Sequence, residues 1–194
     1  MSTTAFQTAH AFTAKWEGGL SDHPSDTGGI TKYGVCITFL QDKASAKSGR
    51  DFLSTIGVKT PITKDTIRAL SREQAESIFR HFFWDKLQCD LLPLRPAVIL
   101  YDMAVNHGLN GGVKIAQRGC NAVFGKGTLV EDGLMGPKTR EALSKDTLAL
   151  ALAIIQKRRD YYQAIVANKP SQKVFLNGWL NRANDLEKYI RRLA

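Results

Sequence analysis

The chain has 194 residues, 43% of them hydrophobic, a formal net charge of +9 and a pI near 9.6. That length suffices for one sizeable core or for two lobes sharing a cleft, and no apolar run approaches the roughly twenty residues needed to span a bilayer. The cysteines, Cys36, Cys89 and Cys120, are odd in number, lie among apolar or small residues and lack metal-ligand spacing, so they read as buried free thiols.

Residues 5–16 read as an amphipathic helix. Phe6, Ala9, Phe12, Thr13 and Trp16 recur at three- and four-residue steps, and Thr3 or Thr4 can cap the start. Gly18-Gly19 ends it, because glycine readily takes the positive-φ geometry of a helix C-terminus. Glu17 is thereby placed at the negative end of the helix dipole, beside Trp16. Both influences disfavour its ionised form and raise its pKa, as a general acid working near neutral pH requires. Asp26 follows in a polar Gly/Ser/Thr/Asp loop, where hydrogen bonds and water keep a carboxylate ionised. Two carboxyls pushed apart in pKa make an acid and base pair for glycoside hydrolysis, and the Thr31 hydroxyl is placed to orient a water. The competing reading is an ordinary turn after a helix end, and spacing alone does not separate the two. Strand signals amount to a short hairpin around residues 20–35.

Residues 35–41 begin a second helix, and residues 42–62, rich in Lys, Ser, Gly and Thr, read as an irregular excursion. Ser71 is a good N-cap with Gln74 completing a capping box. The helix after it points Ala75, Ile78, Phe79, Phe82 and Phe83 at the core. Trp84 reads as core in preference to a sugar platform. Pro93 and Pro96 mark a boundary, Pro96 in the first turn of a helix over 96–107. Asp102 and Asn106 share one face of that helix, four residues apart, before Gly108 ends it. The pair either faces a sugar or makes a cap or buried hydrogen bond. Gly111-Gly112 opens a helix through Phe124, Asp132-Gly133 and Gly136-Pro137 are turns, and Pro137 starts a short helix. Long helices follow over 147–167, with Lys157-Arg158-Arg159 on the wetter side, and over 177–193, with Trp179, Leu180, Leu186, Tyr189 and Ile190 inward. From Lys138 onward there are 12 basic and 5 acidic residues, a charge suited to anionic polymers or to a solvated face.

The run Glu17-Gly18-Gly19-Leu20, followed by Asp26-Thr27-Gly28-Gly29-Ile30-Thr31-Lys32-Tyr33-Gly34-Val35, resembles the signature of glycoside hydrolase family 108, the phage endolysin-type N-acetylmuramidases. Leu20 stands where the family has Tyr. Ser71-Arg72-Glu73-Gln74-Ala75 through Phe83-Trp84 resembles the family's second helix. Residues from about 95 to 185 resemble the predicted peptidoglycan-binding region, through Asp102-x-x-Val105-Asn106-x-Gly108, Val130-Glu131-Asp132-Gly133-Leu134-Met135-Gly136-Pro137-x-Thr139 and Gly178-Trp179-Leu180-Asn181-Arg182. The Glu, Asp, Thr order is also similar to the triad of phage-type lysozymes.

The resemblance implies a mainly α, lysozyme-like helical fold with an active-site cleft. It implies a catalytic region over 1–94 and a peptidoglycan-binding-like helical region over 95–194, packed as one globular unit. It implies hydrolysis of the β-1,4 bond between N-acetylmuramic acid and N-acetylglucosamine, with Glu17 as proton donor and Asp26 and Thr31 completing the catalytic set; Tyr33, Asp102 and Asn106 are the candidate substrate-binding residues. No metal or cofactor is required by this chemistry. The expected partner is peptidoglycan, with anionic outer-membrane or cell-wall polymers on the basic C-terminal helices, no nucleic acid, and a monomer. Residues 1–16 lack the basic and apolar regions of a secretory signal, so the expected course is synthesis in the host cytoplasm and action on the wall after release by a holin or a secretion-associated route. Two rival readings are a lytic transglycosylase, which leaves a 1,6-anhydro end instead of adding water, and a non-catalytic wall-binding or nucleic-acid-binding module. No helix-turn-helix, zinc finger or aromatic RNA-binding motif supports nucleic acid.

Overall fold

A computed structural model describes residues 4–18 and 29–193. In chain order its elements are α1 (Ala5–Thr13), a hairpin of β1 (Thr31–Lys32) and β2 (Val35–Cys36), α2 (Ile37–Ser45), α3 (Lys47–Thr55), α4 (Lys64–Ala69), α5 (Arg72–Phe79), α6 (Leu94–Phe124), α7 (Pro137–Leu143), α8 (Leu148–Asn168) and α9 (Lys173–Ile190). A π-helical turn (Arg80–Trp84) and two 3₁₀ turns (Cys89–Leu91 and Pro170–Gln172) connect them. This is the mainly α, lysozyme-like class the sequence implies, and the sheet is an antiparallel pair with Thr31 opposite Cys36 and Lys32 opposite Val35. The chain divides into two compact units, one formed by residues 13–82 and the other by residues 1–12 with 83–194.

In the unit of residues 13–82, the core is built from the hairpin and α2 to α5. Ile30, Leu40, Leu53, Ile67 and Ile78 are fully buried. Residues 42–62 are not irregular: α3 lies in their midst. Its apolar signal is short, Leu53 with Gly49 four residues before it, and polar neighbours mask it. Gly49 is needed because a Cβ there would sit 1.9 Å from the Lys43 carbonyl oxygen, so only glycine lets α3 follow α2 this closely. Ser71 and Gln74 form the expected capping box, each side chain bonding the other's backbone N–H, and a second box at Thr63 and Thr66 starts α4. Phe52 stacks on His81 at 3.7 Å between ring centroids, and Phe82 meets Phe52 edge-on.

In the other unit, α1 meets α6 and α9, and α8 packs on both of those helices. Phe6, Trp84 and Tyr101 form a triad of edge-to-face rings with centroids 5.6 to 5.8 Å apart, a favoured geometry for aromatic quadrupoles. Trp84 is fully buried and donates Nε1–H to Asp90, so it is a core residue. α6 leaves helical geometry at Gly108 (φ 75°, ψ 163°) and then resumes, which is the expected break. Past it, Gly112 lies so close to Ala104 that a Cβ would meet the Ala104 backbone N at 2.8 Å, and Gly119 lies against the backbone of Ile154 on α8. Small residues thus let α6 turn back on itself and let α8 approach. Cys89 and Cys120 are buried free thiols, each pushed upward in pKa by burial, while Cys36 is half-buried.

Candidate active site

α1 ends at Thr13, three residues before the sequence pattern places its end. The chain then tightens into three-residue bonds, Trp16 N–H to the Thr13 carbonyl at 3.0 Å and Glu17 N–H to the Ala14 carbonyl at 3.4 Å. Glu17 follows this last turn, half-buried, and Gly18 has φ 67°. Asp26 lies outside the described residues.

The hairpin carries the rest of the motif to Glu17. Ile30 and Val35 bury its base, and Ile37 N–H closes it onto the Ile30 carbonyl at 3.0 Å. Its two turn residues both have positive φ, Tyr33 at 51° and Gly34 at 80°, the type I′ geometry that matches the twist of a two-residue hairpin. Glycine is required at the second position. A Cβ on Gly34 would stand 2.6 Å from Glu17 Cβ, 3.1 Å from Glu17 Cγ and 3.0 Å from Phe79 Cζ. The backbone of the turn therefore rests directly on the stem of the Glu17 side chain. Tyr33 is an aromatic residue in the left-handed region, a strained position of the kind found at functional sites. Two cations lie over its ring, Lys32 Nζ at 5.3 Å and Arg72 Cζ at 5.2 Å. Thr31, at the start of β1, donates its hydroxyl to the Gly29 carbonyl at 3.3 Å. The structure thus brings Glu17 together with the hairpin that bears Thr31 and Tyr33.

Asp102 and Asn106 belong to the unit of residues 83–194, and they serve different ends there. Asp102 is fully buried, so it does not face a sugar; of its two sequence readings, the buried hydrogen bond is the one present. Arg158 Nη1 donates to Oδ2 at 2.7 Å and Arg182 Nη2 to Oδ1 at 2.8 Å. Burial by itself would push this carboxyl up, but the two guanidiniums outweigh it and hold the carboxyl below its ordinary range. Arg158 continues the network to the Tyr162 hydroxyl at 2.8 Å, and that hydroxyl donates to Asn106 Oδ1 at 2.8 Å. Asn106 itself is exposed. Arg158 is fully buried, so it does not lie on the wet side of α8 with its neighbours. Beside it, burial and then the Arg158 charge push the pKa of His107 down to about 3.

The motif from Val130 to Thr139 is held by side-chain amides of α6. Gln117 donates to Asp132 Oδ1 at 2.8 Å and accepts from Gly133 N–H at 2.9 Å, while Asn121 exchanges both amide bonds with the Leu129 backbone. The sequence pattern assigns no such role to Arg158, Arg182, Gln117 or Gly34. One signal was available: Asp102 is the lone charge among residues 97–104, so burial of that stretch demands a cation. Fifteen basic residues downstream left its identity open.

A family model for glycosyl hydrolase 108 matches residues 10–108, just over half the chain. The chain belongs to the glycosyl hydrolase 108 family. In this family 108 chain a second model, a predicted peptidoglycan domain, matches residues 111–184. The family 108 chain is also similar to a solved structure, SagA of Brucella abortus. Identity is 26%, over 95% of this chain and 92% of that one, with a TM-score of 0.71. No curated protein sequence matches it. The two matched regions together support a peptidoglycan-hydrolysing enzyme.

Proposed function

We propose that the protein is an N-acetylmuramidase that hydrolyses the β-1,4 bond between N-acetylmuramic acid and N-acetylglucosamine, with Glu17 as general acid. The observation that carries this reading is the packing of the Tyr33-Gly34 turn on the Glu17 stem, which fixes one carboxyl beside the motif residues that follow it. In the proposed step the Glu17 carboxyl gives its proton to the leaving glycosidic oxygen as the bond to the anomeric carbon breaks. A water oxygen bonds to that carbon, with Thr31 orienting the water; its proton passes to the Asp26 carboxylate, or to bulk water where Asp26 acts by stabilising the positive charge that develops. Tyr33 lies on the substrate side. Endolysin action, with release to the wall by a holin or a secretion-associated route, belongs to the same proposal, as does an affinity of the basic C-terminal helices for anionic wall polymers.

The test is the Glu17→Gln variant assayed on purified peptidoglycan. It keeps the side-chain volume and removes the acid. Turnover is expected to fall roughly 10²- to 10⁴-fold, the usual contribution of a positioned general acid, with an unchanged melting temperature. Wild-type turnover in that variant would remove Glu17 from the mechanism.

A further inference from the structure

The Tyr33-Gly34 turn that rests on the Glu17 stem also carries charge. Lys32 Nζ lies 5.3 Å from the Tyr33 ring centroid and Arg72 Cζ 5.2 Å from it, close enough for cation–π attraction. Neither cation has a carboxylate partner among the described residues. Lys32 Nζ donates to the Arg68 carbonyl in the last turn of α4 at 2.5 Å, which tethers the ammonium and leaves it further N–H donors. Arg72 is exposed, and its guanidinium makes no hydrogen bond or ion pair among the described residues. The next residue, Glu73, takes its low pKa first from its own backbone N–H, then from Ser71, and least from Arg72. Stability does not account for this arrangement. Arg72 is the first residue of α5, where the helix dipole disfavours a cation. Two like charges against one ring repel each other, and Tyr33 holds a left-handed backbone that strains an aromatic residue. Each of these opposes folding, yet they converge one residue from Gly34, which packs against the Glu17 side chain.

We infer that Lys32 and Arg72 bind a carboxylate of the peptide stem borne by the N-acetylmuramic acid at the cleaved bond, and so make the enzyme selective for strands with ionised stems. The inference rests on the muramidase reading and narrows it from the sugar to the peptide. In an intact strand the lactyl carboxyl of muramic acid is tied up in its amide link to the stem, so the glycan itself is neutral and would leave both cations unpaired. The stem retains carboxylates. It leaves from the same sugar ring whose anomeric carbon is attacked, which brings a carboxylate within reach of groups beside Glu17. The planar guanidinium of Arg72 matches the two oxygens of a carboxylate, and the tethered Lys32 ammonium adds a point charge.

The experiment follows release of reducing ends by the full-length chain from purified peptidoglycan and from the same peptidoglycan after carbodiimide-driven amidation of its carboxyls. The wild type should have a kcat/KM roughly tenfold higher on the unmodified substrate, the equivalent of about 1.4 kcal/mol, and Arg72→Gln should bring the ratio of the two close to one. Arg72→Lys keeps the charge and should retain part of the preference. Lys59 is exposed in the same unit, and Lys59→Gln removes an equal charge, so its ratio should match that of the wild type. Equal turnover of the two substrates by the wild type, an unchanged ratio in Arg72→Gln, or the same fall in Lys59→Gln overturns the proposal. Lys32→Gln should lower the ratio as well, but it also cuts the tether to Arg68. Because Arg72 is a surface residue, its variant decides the matter even if Lys32→Gln does not fold. A wild type that cleaved neither substrate would defeat the muramidase reading itself, a result distinct from equal cleavage of both.

Discussion

Glu17 is held by a residue with no side chain. Gly34 combines positive φ with a Cβ position 2.6 Å from the Glu17 Cβ, so alanine there both strains the turn and displaces the Glu17 side chain. Gly57 supplies the comparison, since it has φ 74° and a Cβ would meet only the end of the Gln74 side chain at 3.6 Å. Both Gly34→Ala and Gly57→Ala should lose about 1 kcal/mol of stability through backbone strain. Gly34→Ala alone should lose catalytic efficiency, by roughly a hundredfold for a misplacement near 1 Å. Equal activities in the two variants would show that the turn does not position Glu17. Asp102 makes the opposite case. Removing it strands two buried guanidiniums, so Asp102→Ala should cost about 3 to 5 kcal/mol, read by chemical denaturation. A stable Asp102→Ala variant would contradict the network. Glu17 was legible in the sequence because a helix end and a glycine pair announce themselves locally. Arg158 and Arg182 were not, because a partner that is 56 or 80 residues away leaves no local periodicity.

Among the elements, those with local signals were readable. The α5 capping box, the break of α6 at Gly108, Pro137 at the start of α7 and the span of α8 all follow from residues within one or two turns. α3 was hidden because its burial rests on two positions, Gly49 and Leu53, and because glycine, disfavoured within helices, serves here to admit Lys43. The hairpin could be placed but not its turn, since tyrosine is an uncommon occupant of a left-handed position. The pattern predicts the last helix over 177–193, whereas α9 begins four residues earlier, at Lys173. In the structure its buried side chains run from Arg182 to Ile190, while its first turn exposes Val174 and Phe175.

Across the described residues the shifted carboxyls and the shifted histidine point one way with pH. Asp102, Glu131 and Glu187 are all held low by hydrogen-bonded cations or amides. A depressed acid contributes stability that is present above its unfolded pKa and lost as pH falls through the folded one. His107 acts in the same direction by a different cause. Its folded pKa, about 3, lies below the ordinary value of 6.5 because burial favours the neutral ring. The unfolded chain therefore takes up a proton first, and stability declines as pH drops from 6.5 toward 3. One such proton sets a slope of at most about 1.4 kcal/mol per pH unit. The melting temperature should fall steadily from pH 7 to pH 4, and His107→Phe should flatten the part between 6.5 and 4.5. An unaltered profile in that variant would mean that His107 is already protonated or exposed. The C-terminal excess of basic residues is partly neutralised, since Arg159 and Arg191 both pair with Glu187.

The central claim is that Glu17 drives hydrolysis of the muramic acid bond, and mass spectrometry of muropeptides released by the wild type and by Glu17→Gln tests it most directly. The wild type should release fragments ending in hydrated, reducing N-acetylmuramic acid, and the variant almost none. Fragments one water lighter, with 1,6-anhydro ends, or normal release by the variant would contradict it.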